Sequence, residues 1–484
     1  MKISDIIKTD EALSYEPCTE LEIKCIATEI NCIGEDCLYV LESAERIPDF
    51  SSCVRPPMAI IAEQNVKIPE EIPSVRVNNA RLASAVAHSR FYGVDYEKIK
   101  IVGVTGTNGK TSVATMIYKI LNENGIKAGF IGTGKIEIIG KRLSDKYYSM
   151  TTPPPQRLYK ILRKMQDEGC YYIVMEVSSH ALTQMRVAAI PFEYGVFTNL
   201  TSAHLDYHLD TEEYYNAKKA LLEQSKRVIL NVDDQYGRRA AEEFSVKAST
   251  VGVLWRGNAY ATEIEDRGFD GSSYFYHEKC FHYKAVLKLA GLYNVYNSML
   301  AARTCIDIGI APCKVKASLA KIEAIDGRYE IIKDKITVII DYAHTSAGFA
   351  SVLKSINDSK GCGKLTVVFG CGGDRDRSSR PQMGATAEKY ADKIILTTDN
   401  SRSESPSSIF NDIISGIRHA SYEICADRTE AIRSAVGSAK VGDVVAIIGK
   451  GCEEYLIDSE GYHEYSDKAV AVKALKELHA KKAL

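Results

Sequence analysis

The sequence predicts an α/β protein of about three domains with a phosphate-binding loop near its middle. Three observations predict this. The stretch Ile99 to Leu121, IKIVGVTGTNGKTSVATMIYKIL, reads strand, glycine-rich turn, helix. A chain of 484 residues is too long for a single hydrophobic core. In the last third, the strand signals Ile336–Ile340, Leu365–Phe369, Lys393–Thr397 and Val444–Ile448 alternate with helical stretches.

Taking the loop first, Gly106-Thr107-Asn108-Gly109 leads into Lys110, Thr111 and Ser112, followed by apolar residues at helical spacing. Backbone N–H groups can curl around phosphate oxygens only where no Cβ interferes, and the helix N-terminus adds partial positive charge. Lys110 is expected to reach the β/γ-phosphates and Thr111 to hold Mg²⁺. The loop is a variant: Val104 stands where the common pattern has its first glycine, with Gly103 and Gly106 on either side.

Composition excludes several classes. Formal net charge is −2, 45% of residues are hydrophobic and 26% charged, and no basic stripe appears, so nucleic acid is not an expected partner. The N-terminal MKISDIIKTDEALSYEP carries acids where a signal peptide needs an apolar core, and no run reaches the ~20 apolar residues of a membrane span. A cytoplasmic protein with no membrane partner is expected, working as a monomer on small molecules. The 13 cysteines never form CxxC, and even Cys32 and Cys37 are too isolated to suggest a metal pair; they read as reduced thiols.

Residues 1–94 carry short apolar runs (Leu38 to Leu41, Met58 to Ala62) and one helix, Ala80 to Phe91, as an α/β module would. After the loop helix, Asn124-Gly125 stops it and Ile126 to Ile131 begins a second strand. Three consecutive prolines then place Thr151 and Thr152 in a loop before a helix starting near Gln156, where their hydroxyls either cap that helix or meet a phosphate. Cys170 to Glu176 is an apolar strand ending in an acid on the side where a Mg²⁺-nucleotide sits, which makes Glu176 a metal candidate. Ser178, Ser179, His180, Gln184 and Arg186 then crowd into one turn. Past a strand at Tyr194 to Phe197, His204 and His208 flank Asp206 without a clear third and fourth ligand, so magnesium with one imidazole is preferred to structural zinc. On residue chemistry alone, Lys218 and Lys219 of YYNAKKALL read as solvated helix lysines.

In order and spacing, GVTGTNGKTS, TTP, EVSSHAL with Gln184 and Arg186, FTNLTSAHLDYH and YYNAKKALL resemble the central domain of the Mur ligases, most closely the MurE type. DYAHTSAGFASVL, VFGCGGDRDRSSRPQMG, DNSRSESP and GKGCEEY continue the match to the C-terminus. The resemblance implies an N-terminal domain for a UDP-sugar (1–94), a central ATPase domain (95–327) and a C-terminal Rossmann-like amino-acid domain (328–484), with the hinge at Asp326-Gly327-Arg328.

Carried over residue by residue, it implies that the loop from Gly106 to Ser112 binds ATP, together with Asn297, Arg328, Asp341 and His344. Metal would fall to Thr111, Glu176, His204 and Lys218, the last carbamylated by CO₂. A nucleotide-linked peptide would meet Thr151, Thr152, Ser178, Gln184 and Arg186. The incoming amino acid would meet Arg375, Asp399, Asn400, Arg402, Gly449 and Glu453. Arginine in the Asp-Asn-x-Arg motif goes, in that family, with meso-diaminopimelate.

The implied activity is ATP-dependent amide formation through an acyl-phosphate. The sequence departs from the family at several points. An Asp-Ser-Arg triplet expected near Thr28 to Gly34 is missing, Pro154 replaces a polar residue, Ser401 a proline and Cys452 a histidine. A ligase acting on a non-muramoyl precursor, such as a pseudomurein peptide, is the alternative these edits raise. A small-molecule kinase or NTPase would not need Arg375 and Arg402, and a folylpolyglutamate synthetase shares the ATPase core but fits the DNSRSE and GDRD stretches less well.

Overall fold

The computed structural model describes residues 1–8, 12–15, 20–43, 48–50, 53, 55–143, 150–201 and 210–482. His204, Asp206 and His208 lie outside the described residues. Three main sheets follow one another along the chain.

The first is a five-stranded sheet in the order Ala12–Tyr15, Ser74–Val77, Ala59–Glu63, Cys37–Val40, Cys25–Ala27, parallel except for its first strand. The helix Ala80–Phe91 spans the residues expected, its first turn capped by Asn79, whose Oδ1 accepts from Leu82 N at 2.9 Å. One face of this helix covers the first sheet, while Ala85 joins the core under the helix Pro155–Asp167 of the next unit. Arg163 and Gln166 of that helix hold Gly93 O (2.7 Å) and Asp95 N (2.9 Å), fixing the connection.

The second sheet has eleven strands. Its middle, Ser225–Asn231, Phe192–Phe197, Lys100–Thr105, Tyr172–Glu176 and Ala128–Gly132, is parallel throughout. Alternate residues of these strands serve opposite faces: Val102, Val104 and Val174 meet the helices Lys110–Glu123 and Leu292–Ile308, and Ile101, Ile173 and Met175 meet Pro155–Asp167. An antiparallel ribbon, Ala259–Asp266, Ser272–Glu278 and Phe281–Leu287, extends one end of the sheet, a feature absent from the sequence expectations.

The third sheet runs Glu330–Lys333, Thr337–Asp341, Val444–Ile448, Leu365–Phe369, Lys393–Leu396, Tyr422–Ile424, with only the first pair antiparallel. Val444, Ala446 and Ile448 face the helices Ser346–Ser359, Ser379–Tyr390 and Pro406–Ile414; Val445 and Ile447 face Arg428–Ser438 and Asp467–Lys482. This is a doubly wound sheet, whose ligands belong at the carboxyl ends of the strands. Arg428 and Asp467, both without exposed surface, form a bidentate pair at 2.8 Å; Arg428 also donates to Thr398 O and Ile448 O, tying two of those strand ends together.

Candidate active site

The carboxyl edges of the second and third sheets face each other, and the residues singled out in the sequence gather on the two sides of that interface. On the central side, Gly106 has φ 142 and Gly109 φ 85. A Cβ on Gly106 would stand 1.9 Å from Thr198 Oγ1, and one on Gly109 2.5 Å from Asn297 Oδ1, so the turn and its neighbours require glycine at both places. Thr198 and Asn199 brace the loop from the adjacent strand: Thr198 Oγ1 donates to Asn108 O, and Asn199 Oδ1 accepts from Asn108 N at 3.0 Å.

Lys110 Nζ folds back onto the carbonyls of Gly106 (2.9 Å) and Thr107 (3.0 Å). Burial, opposed by Glu176 and aided by Arg328, lowers its pKa to about 8. Thr111 Oγ1 donates to Glu176 Oε2 at 2.9 Å and accepts from Arg328 Nη2 at 2.8 Å. Strand register places Glu176 opposite Val104, at the mouth of the loop. Its other oxygen accepts from Thr133 N at 2.9 Å, so the carboxylate is aimed from two sides. Thr133 was not among the expected residues, since only the pairing of distant strands brings it there.

Lys218 is where the unaided reading of the helix fails. It is 1% exposed, not solvated; its Nζ donates to Gly106 O at 3.0 Å and lies 4.4 Å over the ring of Tyr214. Lys219 sits further out, paired with Glu243 at 2.9 Å. Two glycines explain how the lysine gets in. A Cβ on Gly103 would lie 2.7 Å from Leu221 Cδ1, and one on Gly195 2.4 Å from Ser225 Oγ, so these strands leave room for the helix Thr211–Gln224 to come down onto the sheet. Burial and the neighbouring Lys110 hold the Lys218 amine well below the usual lysine range.

The polar turn after Glu176 forms one network. Thr152 Oγ1 donates to Glu176 O at 3.0 Å and accepts from Ser178 N at 3.1 Å, while Arg186 donates to Thr152 O at 2.7 Å and forks onto Gln184 Oε1. Thr151 Oγ1 lies 3.0 Å from Thr133 Oγ1. Neither threonine caps the following helix, which starts at Pro155 with no side-chain cap. Ser178 does cap, accepting from Ala181 N.

Across the interface, Arg328 lies 4.3 Å from the Tyr342 ring, and its Nε is buried with no partner among the described residues. Asp341 accepts from Tyr329 N (2.6 Å) and Ala343 N (2.7 Å), with its pKa raised by burial. His344 is exposed, yet the desolvating mass of protein around it lowers it from the ordinary imidazole value, and Arg328 and Lys110 push the same way. Cys452, in the position of the family's histidine, points its thiol at Thr133 O (3.9 Å), and Arg142 pairs with Glu454 at 2.7 Å, so this turn docks on the central unit.

The remaining expected residues surround the ends of the strands Val444–Ile448, Leu365–Phe369 and Lys393–Leu396. Lys450, absent from the sequence expectations, has no exposed surface and bridges Glu453 Oε2 (2.9 Å), Asn400 Oδ1 (3.0 Å) and Asp399 (3.6 Å). Asn400 and Tyr455 also donate to Glu453. Gly449, at φ 122, leaves space for Asp399 Oδ2, which would stand 2.5 Å from a Cβ there.

Arg402 and Arg375 approach Gly372 together: a Cβ on that glycine would meet Arg402 Nη1 at 3.2 Å and Arg375 Cγ at 3.6 Å. Arg402, at a left-handed φ of 52, donates its backbone N–H to Ile457 O (3.1 Å), while its guanidinium donates to Gly373 O at 2.5 Å and forms no ion pair among the described residues. Glu404, two residues further along the chain, is bound to Arg380. A cavity of about 550 Å³ opens beside Arg375, Arg377, Ser403 and Glu404. Among the described residues no helix is long and apolar enough to cross a membrane, and no group of three or more His, Cys, Asp and Glu side chains is arranged to hold a metal.

Two family models match: the Mur ligase middle domain over residues 104–305, and the Mur ligase glutamate ligase domain over 327–451. The UDP-N-acetylmuramoyl-L-alanyl-D-glutamate–2,6-diaminopimelate ligase of Clostridium tetani is 39% identical over 422 residues, covering 86% of each chain. The enzyme of the same name from Clostridioides difficile is 35% identical over 492 residues, covering 99% of this chain and all of its own. A solved structure of a ligase with that name matches 99% of both chains with a TM-score of 0.68 at 25% identity. With the phosphate loop, the buried lysine and the facing carboxyl edges, these matches place the chain in the Mur ligase family, as an ATP-dependent acid–amino-acid ligase.

Proposed function

We propose that the enzyme joins meso-diaminopimelate to the free carboxylate of UDP-N-acetylmuramoyl-L-alanyl-D-glutamate. The names of the relatives point to that pair of substrates, and one observation in this chain carries the amino-acid half: Arg402 Nη1 and the Cγ stem of Arg375 flank Gly372, and neither arginine is ion-paired among the described residues. Guanidinium is a planar, bidentate partner for carboxylate, and two such groups side by side repel unless an anion separates them. Diaminopimelate carries a distal carboxylate that lysine lacks. Glu453 and Asp399, sharing the single cation Lys450, leave net negative charge for the distal ammonium.

Residues 1–94 are assigned to the nucleotide-sugar end, 95–327 to ATP and 328–484 to the amino acid. An anionic carboxylate is a poor electrophile, so the γ-phosphoryl group of ATP is transferred to it first; the free amine then attacks the acyl-phosphate and phosphate leaves. The loop Gly106 to Ser112 and Lys110 hold the phosphates, with Asn297, Arg328, Asp341 and His344 on the rest of the nucleotide. Thr151, Thr152, Ser178, Gln184 and Arg186 orient the acceptor peptide.

Thr111, Glu176, His204 and a carbamate on Lys218 would hold Mg²⁺, which when bound neutralises charge between ATP and the acceptor. The Lys218 amine suits carbamylation because it is buried, and its bonding partners among the described residues are a carbonyl and an aromatic ring, with no acid. The neutral amine adds CO₂, forming an N–C bond and releasing one proton, so that a neutral group becomes an anion.

The test is a mass-spectrometric assay of ATP-dependent products over a panel of UDP-peptides and amino acids. The proposal expects ADP release to require both acceptor and diaminopimelate, with a product heavier by one diaminopimelate less water. A product only from a non-muramoyl precursor would favour the pseudomurein-type alternative, and ADP release without an amide product would favour a kinase or NTPase.

A further inference from the structure

Two acids line the cavity proposed for the amino acid: Asp374, whose carboxylate accepts from Ser403 Oγ at 2.8 Å, and Glu404, which ought to defeat the site. Glu404 lines the same space as Arg375 and lies two residues from Arg402, so a free carboxylate there would pair with one of the arginines and close the anion site. The structure holds that acid elsewhere. Arg380, 1% exposed on the helix Ser379–Tyr390, donates from Nη1 to Glu404 Oε1 (2.7 Å) and from Nη2 to Glu404 Oε2 (2.8 Å). The same guanidinium reaches Asp412 Oδ2 (2.9 Å) and Gly372 O (3.1 Å), the carbonyl of the glycine on which Arg402 and Arg375 converge.

The partition turns on one peptide unit. The carbonyl of Gly373 accepts from Arg402 Nη1, and the N–H on the other side of the same peptide, that of Asp374, donates to Glu404 Oε2 at 3.2 Å. In a trans peptide these two groups point in opposite directions, so Arg402 and Glu404 sit on opposite sides of it. Gly373 must be glycine for this: a Cβ would come 1.9 Å from Ser401 O and 3.1 Å from Glu404 Cβ. Paired in this way, Glu404 is held down to about 2, ionised across the working pH range yet already neutralised.

We propose that Arg380 is a positioning residue for amino-acid specificity: by clamping Glu404 behind the Gly373–Asp374 peptide, it keeps Arg375 and Arg402 unneutralised for the carboxylate of the incoming amino acid. The inference rests on the diaminopimelate reading of this pocket and adds the device that keeps the pocket open to an anion.

The test is steady-state kinetics on the full-length enzyme with ATP, UDP-N-acetylmuramoyl-L-alanyl-D-glutamate and diaminopimelate. Arg380→Met takes from Glu404 its bidentate partner, leaving only Arg377 at 3.9 Å and the Asp374 N–H, and the KM for diaminopimelate is expected to rise by about tenfold or more, with the KM for ATP within about twofold. Arg380→Met/Glu404→Gln removes the competing acid as well and is expected to bring the KM back to within about twofold of wild type; Glu404→Gln alone is expected to leave it there. A merely structural role would not give rescue by deleting a second partner.

Should Arg380→Met fail to fold, Arg380→Lys, which cannot span both carboxylates, and Arg380→Lys/Glu404→Gln carry the same comparison. An unchanged KM for diaminopimelate in the single variants, a rise without recovery in the doubles, or a parallel rise in the KM for ATP overturns the proposal. Arg402→Ala measured alongside separates the two levels. If it raises the KM while the Arg380 variants do not, the positioning role alone falls; if it changes nothing, the pocket reading falls with it.

Discussion

Lys218 in the central unit and Lys450 in the C-terminal unit both lie almost wholly out of solvent, and their surroundings are opposite. Lys218 meets a backbone carbonyl and the face of Tyr214, with Lys110 beside it and no acid among its described partners. Lys450 is wedged among Asp399, Asn400 and Glu453. A buried charge needs a partner, so a buried amine without one either stays neutral or awaits an anion from outside. The Lys218 amine is therefore left without an anion to pair with among its described partners, which is what the proposed carbamate would supply. In the C-terminal site Lys450 already has its acids within the chain, Asp399 and Glu453, while the two arginines beside Gly372 have no ion pair among the described residues.

The largest effect expected from this contrast is at Lys218. Lys218→Ala should lower kcat by roughly a thousandfold, the scale on which removal of a key transition-state stabiliser acts. Added short-chain carboxylates should restore part of it by occupying the vacated anionic position. Turnover assays with and without such carboxylates check this, and full activity in the alanine variant would erase the distinction between the two lysines.

Next comes Arg402. Arg402→Ala should raise the KM for diaminopimelate by on the order of a hundredfold, because a desolvated guanidinium–carboxylate pair is worth several kcal/mol when one partner is removed. The same substitution in the Lys450 environment would mean something different: Lys450→Met leaves two acids facing each other and is expected to cost stability as well as binding, which thermal denaturation would register alongside the kinetics.

How legible these sites were depended on how local their causes are. The helix Ala80–Phe91 and the strands Leu365–Phe369 and Val444–Ile448 were readable because periodicity and bounding turns sit in the same few residues. The phosphate loop was readable because its chemistry is written in consecutive positions. Lys218 was legible only through the family resemblance and not from residue chemistry: its neighbours in sequence describe an ordinary amphipathic helix, and its burial is decided by Gly103 and Gly195 on strands more than 20 residues away. Thr133 and Lys450 were missed for the same reason, since each gains its meaning from a partner on another strand. Arg380 sits in the quoted GDRDRSSRPQMG stretch, but only the folded turn reveals that it takes Glu404. The ribbon Ala259–Leu287 went unread because its strands are too polar on one face to stand out as apolar runs.

A third prediction, smaller, concerns the sugar end. In the first unit the strand Cys25–Ala27 is followed by Thr28-Glu29-Ile30-Asn31, where the family triplet is expected. Installing Asp-Ser-Arg at 29–31 should tighten UDP-N-acetylmuramoyl-L-alanyl-D-glutamate by about tenfold for each charge-assisted hydrogen bond gained. Calorimetry checks it. No gain would mean that this chain grips the head group by other residues, and loss would mean that the edited segment is itself the binding element.

The smallest effect expected is on stability. His88 is fully buried, donates from Nδ1 to Ser84 O at 2.8 Å, and has Nε2 without a partner among the described residues; burial lowers it to about 4. The folded pKa lies below the unfolded one, so the neutral imidazole contributes its stability above about pH 6.5, and that contribution is lost as pH falls from there toward 4, by at most about 3 kcal/mol. Thermal melts across that range should show the slope in wild type and a shallower one in His88→Leu.

The most direct test of the central claim, that two unpaired arginines reserve the C-terminal pocket for a carboxylate, is kcat/KM for meso-diaminopimelate and for lysine measured side by side with the same UDP-dipeptide. The two amino acids differ at the distal carboxylate alone. A preference for diaminopimelate of about a hundredfold or more is predicted; equal use of the two, or a preference for lysine, would contradict it.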